Sequence, residues 1–587
     1  MAEQQTEQRA EQHIEDELVL RVLSALLRED VLGLRSRSTA VDRPDGTWLR
    51  LETPGPDALL LPVEGDGFQC DWAARQPALC RESTGTVLST CDDILAALRA
   101  LAPDEDRPGF DVFADECRQT LITVRLHSRS RDQVFETLAA RHGADPARWT
   151  GLDGALAHDT LAARRDHPVY PTGRGRSGLS SGALMSYAPE FHPRFALRWL
   201  ALPRDLVTVR GWLPFPTPSS LGLTGLADTG HLTLPVHPLT ADGPLRDALR
   251  AAGLDGRAVL AGQPRLDVVP TLSMRTVALA DEPGVHLKLP LATSSLGRLN
   301  RRTIKPGTLT DGAAVQRLLQ SVIAREPRFQ DSVLHADESS FAHAGHELLA
   351  VLVRRWPTGL DGAVVVPLAA LLSPAPGGRT VLDHLAGRFY GGDPLALLDA
   401  ALALLIDWAT TLLGYGIALE SHQQNVSLAL DQRAGRPRIR LLFKDNDGPR
   451  INRVRLGRAL GEQAPDPSAF DDARIVGDSD RPVVELFTTI TVHLCAAAYA
   501  FELARLGRAP LDTLLGLIRT RLAEAAERLG TRPGEAGAVL REHVLDAARL
   551  PVKAMVTAGT LLTKQRSGAS DINKHYTTGP NYLLRGV

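Results

Sequence analysis

Two short apolar runs joined by a turn-forming connector constrain this fold more than any other feature of the sequence. The runs are "VSLAL" at 426–430 and "RIRLLF" at 438–443, and the connector "DQRAGRP" contains the glycine and proline that favour a turn. We therefore predict a β-hairpin over residues 426–443. Because the two strands of a hairpin run in opposite directions, the segments that flank it should meet at one end.

Polar side chains crowd that end of the predicted hairpin. His422, Gln424 and Asn425 precede the first strand, and Asp445 and Asp447 follow the second. Amide and carboxylate oxygens that converge on one point suit Mg²⁺, which shares its ligands with nucleotide phosphates. A His-x-x-Asn segment followed by Asp after a hairpin also occurs in small-molecule kinases, where Asn and Asp hold the metal. The pattern favours an ATP and Mg²⁺ site, and the alternative that Asn425 and Asp445 only cap a turn stays open.

The balance of charges argues against two classes of partner. The 587 residues include 66 Lys plus Arg and 69 Asp plus Glu, a formal net charge of -3. This balance indicates neither a nucleic-acid-binding protein nor a membrane-surface protein. The apolar segment 395–416 carries Asp399 and Asp407, so we expect a core helix there and not a membrane span.

Cysteine usage and the first residues of the chain indicate a compartment. The five cysteines form no C-x-x-C pair, which predicts reduced thiols and argues against a disulfide framework or a zinc site. The segment "MAEQQTEQRAEQHIEDE" lacks the basic-then-apolar order of a signal peptide. We expect a cytoplasmic protein with no nucleic-acid or membrane partner.

Hydrophobic periodicity divides the chain into three regions of an α+β protein, because 587 residues exceed the size of one hydrophobic core. Residues 1–155 and 326–587 show mainly helical spacing, and the stretch 156–325 is rich in Pro, Gly and short β-type runs. We expect helical N- and C-terminal regions around a mainly antiparallel β region. The predicted helices lie at 10–34, 92–102, 112–124, 131–141, 343–354, 363–372, 395–413, 483–507, 511–528 and 535–548. The predicted strands lie in "FALRWLAL", "LVTVRGWL", "LTLPVH", "LDVVPTLSMRTVAL" and "VHLKLPLA".

Two segments of the middle region combine basic residues with hydroxyl groups. They are "PTLSMRTV" at 270–277 and "HLKLPLATSSLGRLNRRTIKPG" at 286–307. Point charges, forked guanidinium groups and short hydroxyl donors are what a triphosphate or a polycarboxylate requires. The cations of these segments are Arg275, Lys288, Arg298, Arg301, Arg302 and Lys305.

A glycine-bent loop precedes them. "DHPVYPTGRGRSGL" at 166–179 contains G-x-G-x-x-G, formally a dinucleotide-binding fingerprint, but Pro168 and Pro171 argue against the buried strand that a Rossmann fold requires. No P-loop motif occurs in the sequence. The loop carries His167, Arg174 and Arg176, which suit the approach of anionic oxygens, and the alternative is an ordinary basic surface turn.

Taken in order, these segments resemble the NRPS-independent siderophore (NIS) synthetases, the aerobactin-synthase (IucA/IucC) family. The loop and the following "YAPEF" are similar to the family's G-H-P-x-H-P-x-x-K-x-R-x-G loop and Y-A-P-E-F. "LPVHPLT", "PTLSMRTV", "HLKLPLATSSLGR", "ESHQQN" and "FKDNDG" look like its v-H-P-W-Q, S-m-R-T, K-L…T-S-x-x-R, E-x-H-x-Q-N and R-D-x-x-G elements. Tyr170 replaces the second histidine of the loop, Arg174 its lysine, Leu239-Thr240 replace Trp-Gln, and Lys444 replaces an arginine. The changes at Tyr170 and Leu239 concern the carboxylate pocket.

The resemblance implies a fold and a reaction. The family fold is a three-lobed cupped hand, which here gives a thumb at 1–155, fingers at 156–325 and a palm at 326–587. Family members use ATP and Mg²⁺ to form an acyl-adenylate and pyrophosphate, and an amine, hydroxylamine or alcohol then attacks to give an amide or ester. Family analogy also implies a homodimer.

The resemblance also implies roles for individual residues. The metal would be held by Asn425, Asp445 and Glu420, and His422 would contact the α-phosphate or the acyl oxygen. The phosphates would be held by Ser273, Arg275, Lys288, Ser294, Ser295 and Arg298, of which Arg275 and Arg298, with His422, form the catalytic set. The substrate carboxylates would be held by His167, Arg174, Arg176 and Lys564.

Several alternatives stay open at the level of sequence. The activated acid is citrate, 2-oxoglutarate or a preformed citryl monoamide, and the nucleophile is not determined. A small-molecule kinase shares the His-x-x-Asn…Asp geometry, and a non-catalytic carboxylate-binding protein could retain the basic residues. The kinase does not account for the 166–179 loop or the T-S-x-x-R run, and the binding protein would have little use for the polar cluster at the hairpin end.

Overall fold

The structure, a computed structural model, describes residues 2–65, 67–568 and 575–585, and side chains from residue 8 onward within these ranges except that of Lys564. Helices and strands alternate along the whole chain, so the predicted α+β class is confirmed. The helices are α1 (Ala2–Arg28), α2 (Cys91–Leu101), α3 (Arg107–His142), α4 (Gly151–Ala163), α5 (Ser181–Tyr187), α6 (Gly243–Ala251), α7 (Pro306–Arg325), α8 (Val381–Phe389), α9 (Pro394–Gly414), α10 (Arg453–Leu460), α11 (Arg481–Phe487), α12 (Ala498–Arg505), α13 (Leu511–Arg528), α14 (Ala536–Leu540) and α15 (Lys564–Ser567).

The strands form five sheets within the described residues. The N-terminal sheet contains β1 (Thr39–Arg43), β2 (Gly46–Glu52), β3 (Ala58–Gly65), β4 (Trp72–Ala74), β5 (Leu79–Arg81) and β6 (Val87–Leu88). The middle region contributes β7 (Phe195–Pro203), β8 (Thr208–Arg210), β9 (His231–Val236), β10 (Val259–Leu260), β11 (Arg265–Pro270), β12 (Thr276–Leu279) and β13 (Val285–Lys288). The later strands are β14 (Val333–His335), β15 (Asp337–His343), β16 (Ala350–Arg355), β17 (Val364–Pro367), β18 (Ile417–Ala418), β19 (Val426–Arg433), β20 (Arg436–Phe443), β21 (Arg450–Asn452), β22 (Val476–Gly477), β23 (Arg549–Lys553) and β24 (Tyr576–Pro580).

The N-terminal region contains a sheet that the sequence patterns did not predict. Helices are present where they were expected, although the two patterns at 112–124 and 131–141 belong to one helix, α3. Strands β1–β6 lie between α1 and α2 and pair in antiparallel fashion. These strands are short and do not share one pattern, since β3 is a continuous buried run whereas β1 is mostly exposed, so no strand period stands out beside the flanking helices.

A nine-stranded antiparallel sheet forms the middle of the molecule, as the sequence predicted, but it extends beyond residue 325. Its order is β10-β7-β11-β12-β13-β16-β15-β8, and β9 pairs with β7. The predicted helix at 343–354 is wrong, because β16 pairs with β13 and β15 there. The predicted helix at 363–372 is also wrong, because β17 lies there and pairs with β19. Both segments are short continuous apolar runs, whose period does not separate a buried strand from a buried helix.

The predicted hairpin is confirmed as β19 and β20. Their register runs from Val426 opposite Phe443 to Arg433 opposite Arg436. The two turn residues, Ala434 and Gly435, have φ values of 50° and 74°, as a two-residue type I′ hairpin turn requires. Strands β14 and β17 flank the hairpin in a four-stranded sheet. The predicted helices at 395–413, 483–507, 511–528 and 535–548 are also helical.

Two large hydrophobic cores hold the molecule together. One belongs to the nine-stranded sheet and includes Trp199 and Leu287. The other combines residues of α1 to α4 with residues of α8 to α14 and the hairpin, so the two ends of the chain share a core. The Glu29 carboxylate at the end of α1 strengthens this contact, since it accepts hydrogen bonds from the N–H groups of Val556 and Thr557 at 2.9 and 2.8 Å.

Two helical segments are long and apolar enough to span a membrane by length and composition alone. They are Pro394–Gly414 and Arg481–Arg505, and 56% and 89% of their most apolar windows are buried inside the protein. Core helices of globular proteins pass the same test, so this finding by itself is weak support for a membrane span.

Candidate active site

The loop after β20 places Asp445 at the end of the hairpin. Its backbone has a φ of 65°, in the left-handed region that Asp tolerates better than most residues. The Lys444 N–H donates to the Asn425 carbonyl at 3.1 Å, so the segments before β19 and after β20 meet as predicted. The Glu338 carboxylate on β15 fixes the loop, because it accepts the N–H groups of Asp445 and Asn446 at 2.8 and 3.1 Å.

A fully buried ion pair supports this loop. Arg354 on β16 donates through Nε to Glu338, and both side chains are 2% exposed. The Arg354 Nη2 atom lies 3.9 Å from the Asp445 carboxylate. Neither residue was predicted, because the segment that contains Arg354 was expected to form a helix and no motif marked Glu338 on β15. The segment "HADESSFAH" around Glu338 does not alternate between polar and apolar residues, so it carries no clear local strand signal.

Lys288 at the end of β13 binds the two acids of the loop. Its side chain is 6% exposed, and its Nζ contacts Asp445 and lies 3.4 Å from Asp447 Oδ2. Burial favours a neutral Asp445, but Lys288, Arg354 and Arg275 together outweigh burial and hold the pKa of Asp445 far below its usual range. Burial and the neighbouring charge of Asp445 instead raise the pKa of Asp447.

Arg275 completes the wall of a small cavity at this end of the hairpin. Its Nη1 donates to the Thr303 carbonyl at 2.7 Å, which orients the guanidinium group toward the cavity. The cavity measures about 30 Å³, and Arg275, Lys288, Glu338, Asp445 and Asp447 all line it. We call it the hairpin-end cavity. Ser273, two residues before Arg275, forms a hydroxyl contact of 3.1 Å with Thr276.

The hairpin-end residues offer an oxygen-rich site for a metal. Among the described side chains, no group of three or more His, Cys, Asp or Glu converges as a full protein cage would require. Mg²⁺ needs only one or two carboxylates, because water and phosphate oxygens complete its shell. Asp445 fits this requirement, and Asn425 brings an amide whose Nδ2 donates to the Glu420 carbonyl at 3.2 Å. Glu420 itself has Lys553 Nζ 3.9 Å from its Oε1 atom.

Two buried histidines, His422 and His167, are neutral and close enough for the charge of one to affect the other. Burial lowers the pKa of His422 to about 4 and that of His167 to about 3. The positive charge of Lys553 lowers both pKa values further, and His422 lowers that of His167. The Nδ1 atom of His422 accepts the Gln424 N–H at 3.3 Å, and that of His167 accepts the Tyr170 N–H at 3.0 Å. Each ring therefore carries its proton on Nε2 and can donate it in a hydrogen bond.

A larger cleft of about 300 Å³ lies beside α3, and we call it the α3 cleft. Ser294, Ser295 and Arg298 line it from the 290s segment, and Arg176 lines it from the glycine-bent loop. Ser294 donates to the Arg298 carbonyl at 3.0 Å, whereas the Arg298 side chain is exposed. The phosphate ligands implied by the resemblance are thus divided between the two cavities.

Glu116 on α3 joins the segments that form the α3 cleft. Its carboxylate accepts hydrogen bonds from Tyr170, Thr172 and Thr560 hydroxyls at 3.1, 3.0 and 2.7 Å. It also accepts the Arg298 N–H at 3.0 Å. Tyr170, which replaces a family histidine, therefore serves to tie the loop to α3. No motif in the sequence singled out Glu116, because its partners come from three distant segments.

The remaining predicted substrate ligands are engaged within the chain or are not described. Arg174 forms a bidentate pair with Asp166 at 2.7 and 3.0 Å. Arg176 donates to Glu190 at 3.2 Å. The Lys564 side chain lies outside the described residues. The assignment of these three residues to a substrate stays a prediction.

Comparison with protein families gives two matches in sequence order. The IucA / IucC family matches residues 157–373, and the family described as "Ferric iron reductase FhuF-like transporter" matches residues 396–568. Together they span the glycine-bent loop, both basic segments and the hairpin.

Curated relatives align with different parts of the chain. The rhizobactin siderophore biosynthesis protein RhbC of Rhizobium meliloti is 25% identical over 570 residues, which cover 86% of this chain and 90% of that protein. The uncharacterized protein y4xN of Sinorhizobium fredii is 27% identical, and the alignment covers 64% of this chain and 65% of that protein. The L-2,3-diaminopropanoate–citrate ligase of Staphylococcus aureus is 31% identical over 136 residues, covering 21% of this chain and 23% of that protein.

Solved structures share the fold along nearly the whole chain. The petrobactin biosynthesis protein AsbB of Bacillus anthracis superposes with a TM-score of 0.76 at 16% identity, covering 98% of this chain and 95% of AsbB. ATP-bound aerobactin synthetase IucA of Klebsiella pneumoniae gives a TM-score of 0.69 at 19% identity, covering 97% and 99%. At 16% and 19% sequence identity, these superpositions show a shared fold and no more. With the family match over residues 157–373 and the ordered motifs, the chain is similar to the IucA/IucC family of NIS synthetases.

Proposed function

We propose that this chain is an ATP- and Mg²⁺-dependent ligase of siderophore biosynthesis. It adenylates a carboxylate of citrate or a related polycarboxylate and joins it to an amine, hydroxylamine or alcohol, with release of AMP and pyrophosphate. The observation that carries this proposal is the buried Lys288 between Asp445 and Asp447, with Arg275 on the same cavity. The citrate ligase among the relatives and the ATP-bound IucA among the similar structures support it.

The arrangement of charges suits attack on a phosphate. A carboxylate that approaches the α-phosphate meets a group of the same charge, so preorganised cations lower the barrier. Arg275 and Lys288 bring two such cations to the hairpin-end cavity. Mg²⁺, held by Asp445 and Asn425, would supply further positive charge to the phosphate oxygens. Lys288 contacts Asp445 through Oδ1, so Oδ2 of the same carboxylate can bind the metal while the ion pair is kept.

His422 has the protonation state that the reaction needs. Its pKa of about 4 keeps the ring neutral at physiological pH, and the Gln424 N–H contact keeps the proton on Nε2. An Nε2–H donor can stabilise negative charge that develops on an α-phosphate or acyl oxygen. The reaction requires no nucleophilic serine or cysteine, because AMP is itself the leaving group.

We also propose the three-lobed arrangement, the homodimer and the cytoplasmic location that the resemblance and the sequence imply. The separate core of the nine-stranded sheet supports fingers as a distinct lobe. The core shared by the terminal regions supports a thumb and a palm that pack tightly against each other.

The test is an adenylation assay with ATP, Mg²⁺ and hydroxylamine as a surrogate nucleophile. Citrate, 2-oxoglutarate and succinate are supplied in turn, and nucleotides are separated on a column. We expect AMP, pyrophosphate and a hydroxamate with one acid and none without acid. ADP in place of AMP would indicate a kinase. Binding of an acid without any nucleotide product, even with a citryl monoamide, would indicate a carboxylate-binding protein.

A further inference from the structure

A buried π-helix, Thr488–Ala497, lies between α11 and α12. π-Helices are rare in proteins and occur frequently at functional sites. The Ala498 N–H donates to the carbonyl of His493, five residues earlier, and α-helical spacing resumes at Ala498. A change from five-residue to four-residue spacing leaves one carbonyl without a helical N–H, and the carbonyl that follows His493 is that of Leu494.

Gln423, in the loop before β19, binds this carbonyl. Its Nε2 atom donates to the Leu494 carbonyl oxygen. The next residue of the π-helix supports the same loop, since Cys495 donates through Sγ to the Ser421 carbonyl at 3.3 Å. The residue between Ser421 and Gln423 is His422, so the π-helix holds the chain on both sides of this histidine.

The π-helix also holds the strand that brings Lys553 to the site. His493 donates through Nε2 to the Pro551 carbonyl at 2.9 Å, and its Nδ1 accepts the Tyr582 hydroxyl. Pro551 lies on β23, two residues before Lys553, whose Nζ lies 3.9 Å from Glu420 Oε1. Three consecutive residues of one buried helix therefore contact both segments whose charges face each other.

We propose that Gln423 is a positioning residue for His422, which it fixes by binding the carbonyl that the π-helix leaves open. The E-x-H-x-Q-N element leaves the position of Gln423 unspecified, so the resemblance assigns it no role. The inference rests on the proposed function, in which the His422 Nε2–H stabilises developing negative charge. Such a donor is effective only when its position is fixed before the reaction, so a small displacement of the ring lowers kcat.

The first test is a double-mutant cycle on kcat of AMP formation, with Gln423→Leu, His422→Ala and the two combined. Leucine has a similar size but donates no hydrogen bond. We expect Gln423→Leu to lower kcat about tenfold and to leave the KM values for ATP and the acid within about twofold. In the His422→Ala background the same change should cost about twofold or less, because no ring is left to position.

The matched control is Gln432→Leu, at an exposed glutamine near the far end of the same hairpin, and it should behave as the wild type. Equal losses from Gln423→Leu with and without His422 would show a general structural role and overturn the inference.

Hydrogen–deuterium exchange tests the inference without turnover. In Gln423→Leu we expect the amides of residues 419–425 to exchange about tenfold faster than in the wild type, with the hairpin at 426–443 unchanged. Unchanged exchange in 419–425, or faster exchange throughout the chain, would contradict a local role in holding this loop. If the wild type forms no AMP with any acid, the proposed function fails separately, and the exchange measurement decides whether Gln423 fixes His422.

Discussion

The hairpin-end cavity measures about 30 Å³ and the α3 cleft about 300 Å³, and the difference reflects how each is built. Lys288, Glu338 and Arg354 extend from strands of the nine-stranded sheet, and each charge at the hairpin end has a partner. The cleft is lined largely by the glycine-bent loop and the 290s segment, which meet at Glu116. A cavity lined by strand residues with paired charges holds a fixed shape, which suits a nucleotide that is the same in every reaction. A cleft lined by loops can change its shape and so accommodate different substrates.

The substitution with the largest expected effect at the hairpin-end cavity is Asp445→Asn. Asn tolerates the left-handed backbone at this position and removes only the charge. We expect kcat of adenylation to fall by about a thousandfold or more, because the metal loses its anionic ligand and Lys288 its partner.

The matched control is Asp431→Asn on the same hairpin, where the acid pairs with Arg438. It should leave kcat within about twofold, since an ion pair remote from the cavity contributes little. Equal losses in the two variants would contradict the assignment of Asp445 to the reaction.

The contribution of the buried Arg354–Glu338 ion pair to the stability of the protein is tested with Arg354→Met. The change leaves Glu338, 2% exposed, without its counter-charge, and we expect the free energy of unfolding to fall by about 3 kcal/mol. Urea denaturation measures the loss. Arg355→Met is the control, because Arg355 is 47% exposed and pairs with Asp337, so its removal should cost about 0.5 kcal/mol or less. A similar midpoint for both variants would show that the buried pair does not hold the Asp445 loop.

The α3 cleft is tested through the Glu116 carboxylate, which connects the segments that line it. Glu116→Gln keeps the shape of the side chain but replaces one acceptor oxygen by an amide group, so some of its four contacts are lost. We expect about a tenfold loss of kcat/KM, corresponding to about 1.4 kcal/mol, with most of the change in KM. Asp111→Asn, at an acid of the same helix that pairs with Arg99 on the surface, should be neutral. An unchanged KM in Glu116→Gln would mean that the loops are fixed by other contacts.

The smallest expected effect is a loss of stability where Gly297 packs closely against Gly559 at the α3 cleft. Gly297 has a φ of 105°, and a Cβ there would lie 2.8 Å from the Gly559 carbonyl oxygen. Gly178 has a φ of 79° but open space around it. Both changes to Ala incur backbone strain of about 1 kcal/mol, and we expect Gly297→Ala to lose about 1 kcal/mol more. Thermal unfolding of the two variants measures the difference, and equal melting temperatures would exclude tight packing of the two segments.

Particular elements show how far the sequence predicts this molecule. Strong local patterns identified the hairpin, the strands β7 to β9 and β11 to β13, and the long C-terminal helices. The helices predicted over β16 and β17 failed, because a short buried apolar run has the same composition in either state and only its ladder partners decide. The N-terminal sheet was missed for a related reason, since its short strands become stable only when they pair.

The candidate site divides in the same way. Sequence alone placed His422, Asn425 and Asp445 at one end of a hairpin and gathered the basic residues beside hydroxyl groups, because these depend on local chain direction and composition. Only the tertiary structure could bring Lys288 to Asp445, place Glu338 and Arg354 behind that loop and join three segments at Glu116. Those features depend on contacts between residues far apart in the chain, and burial, which sets the cost of each charge, is defined only once the chain has folded.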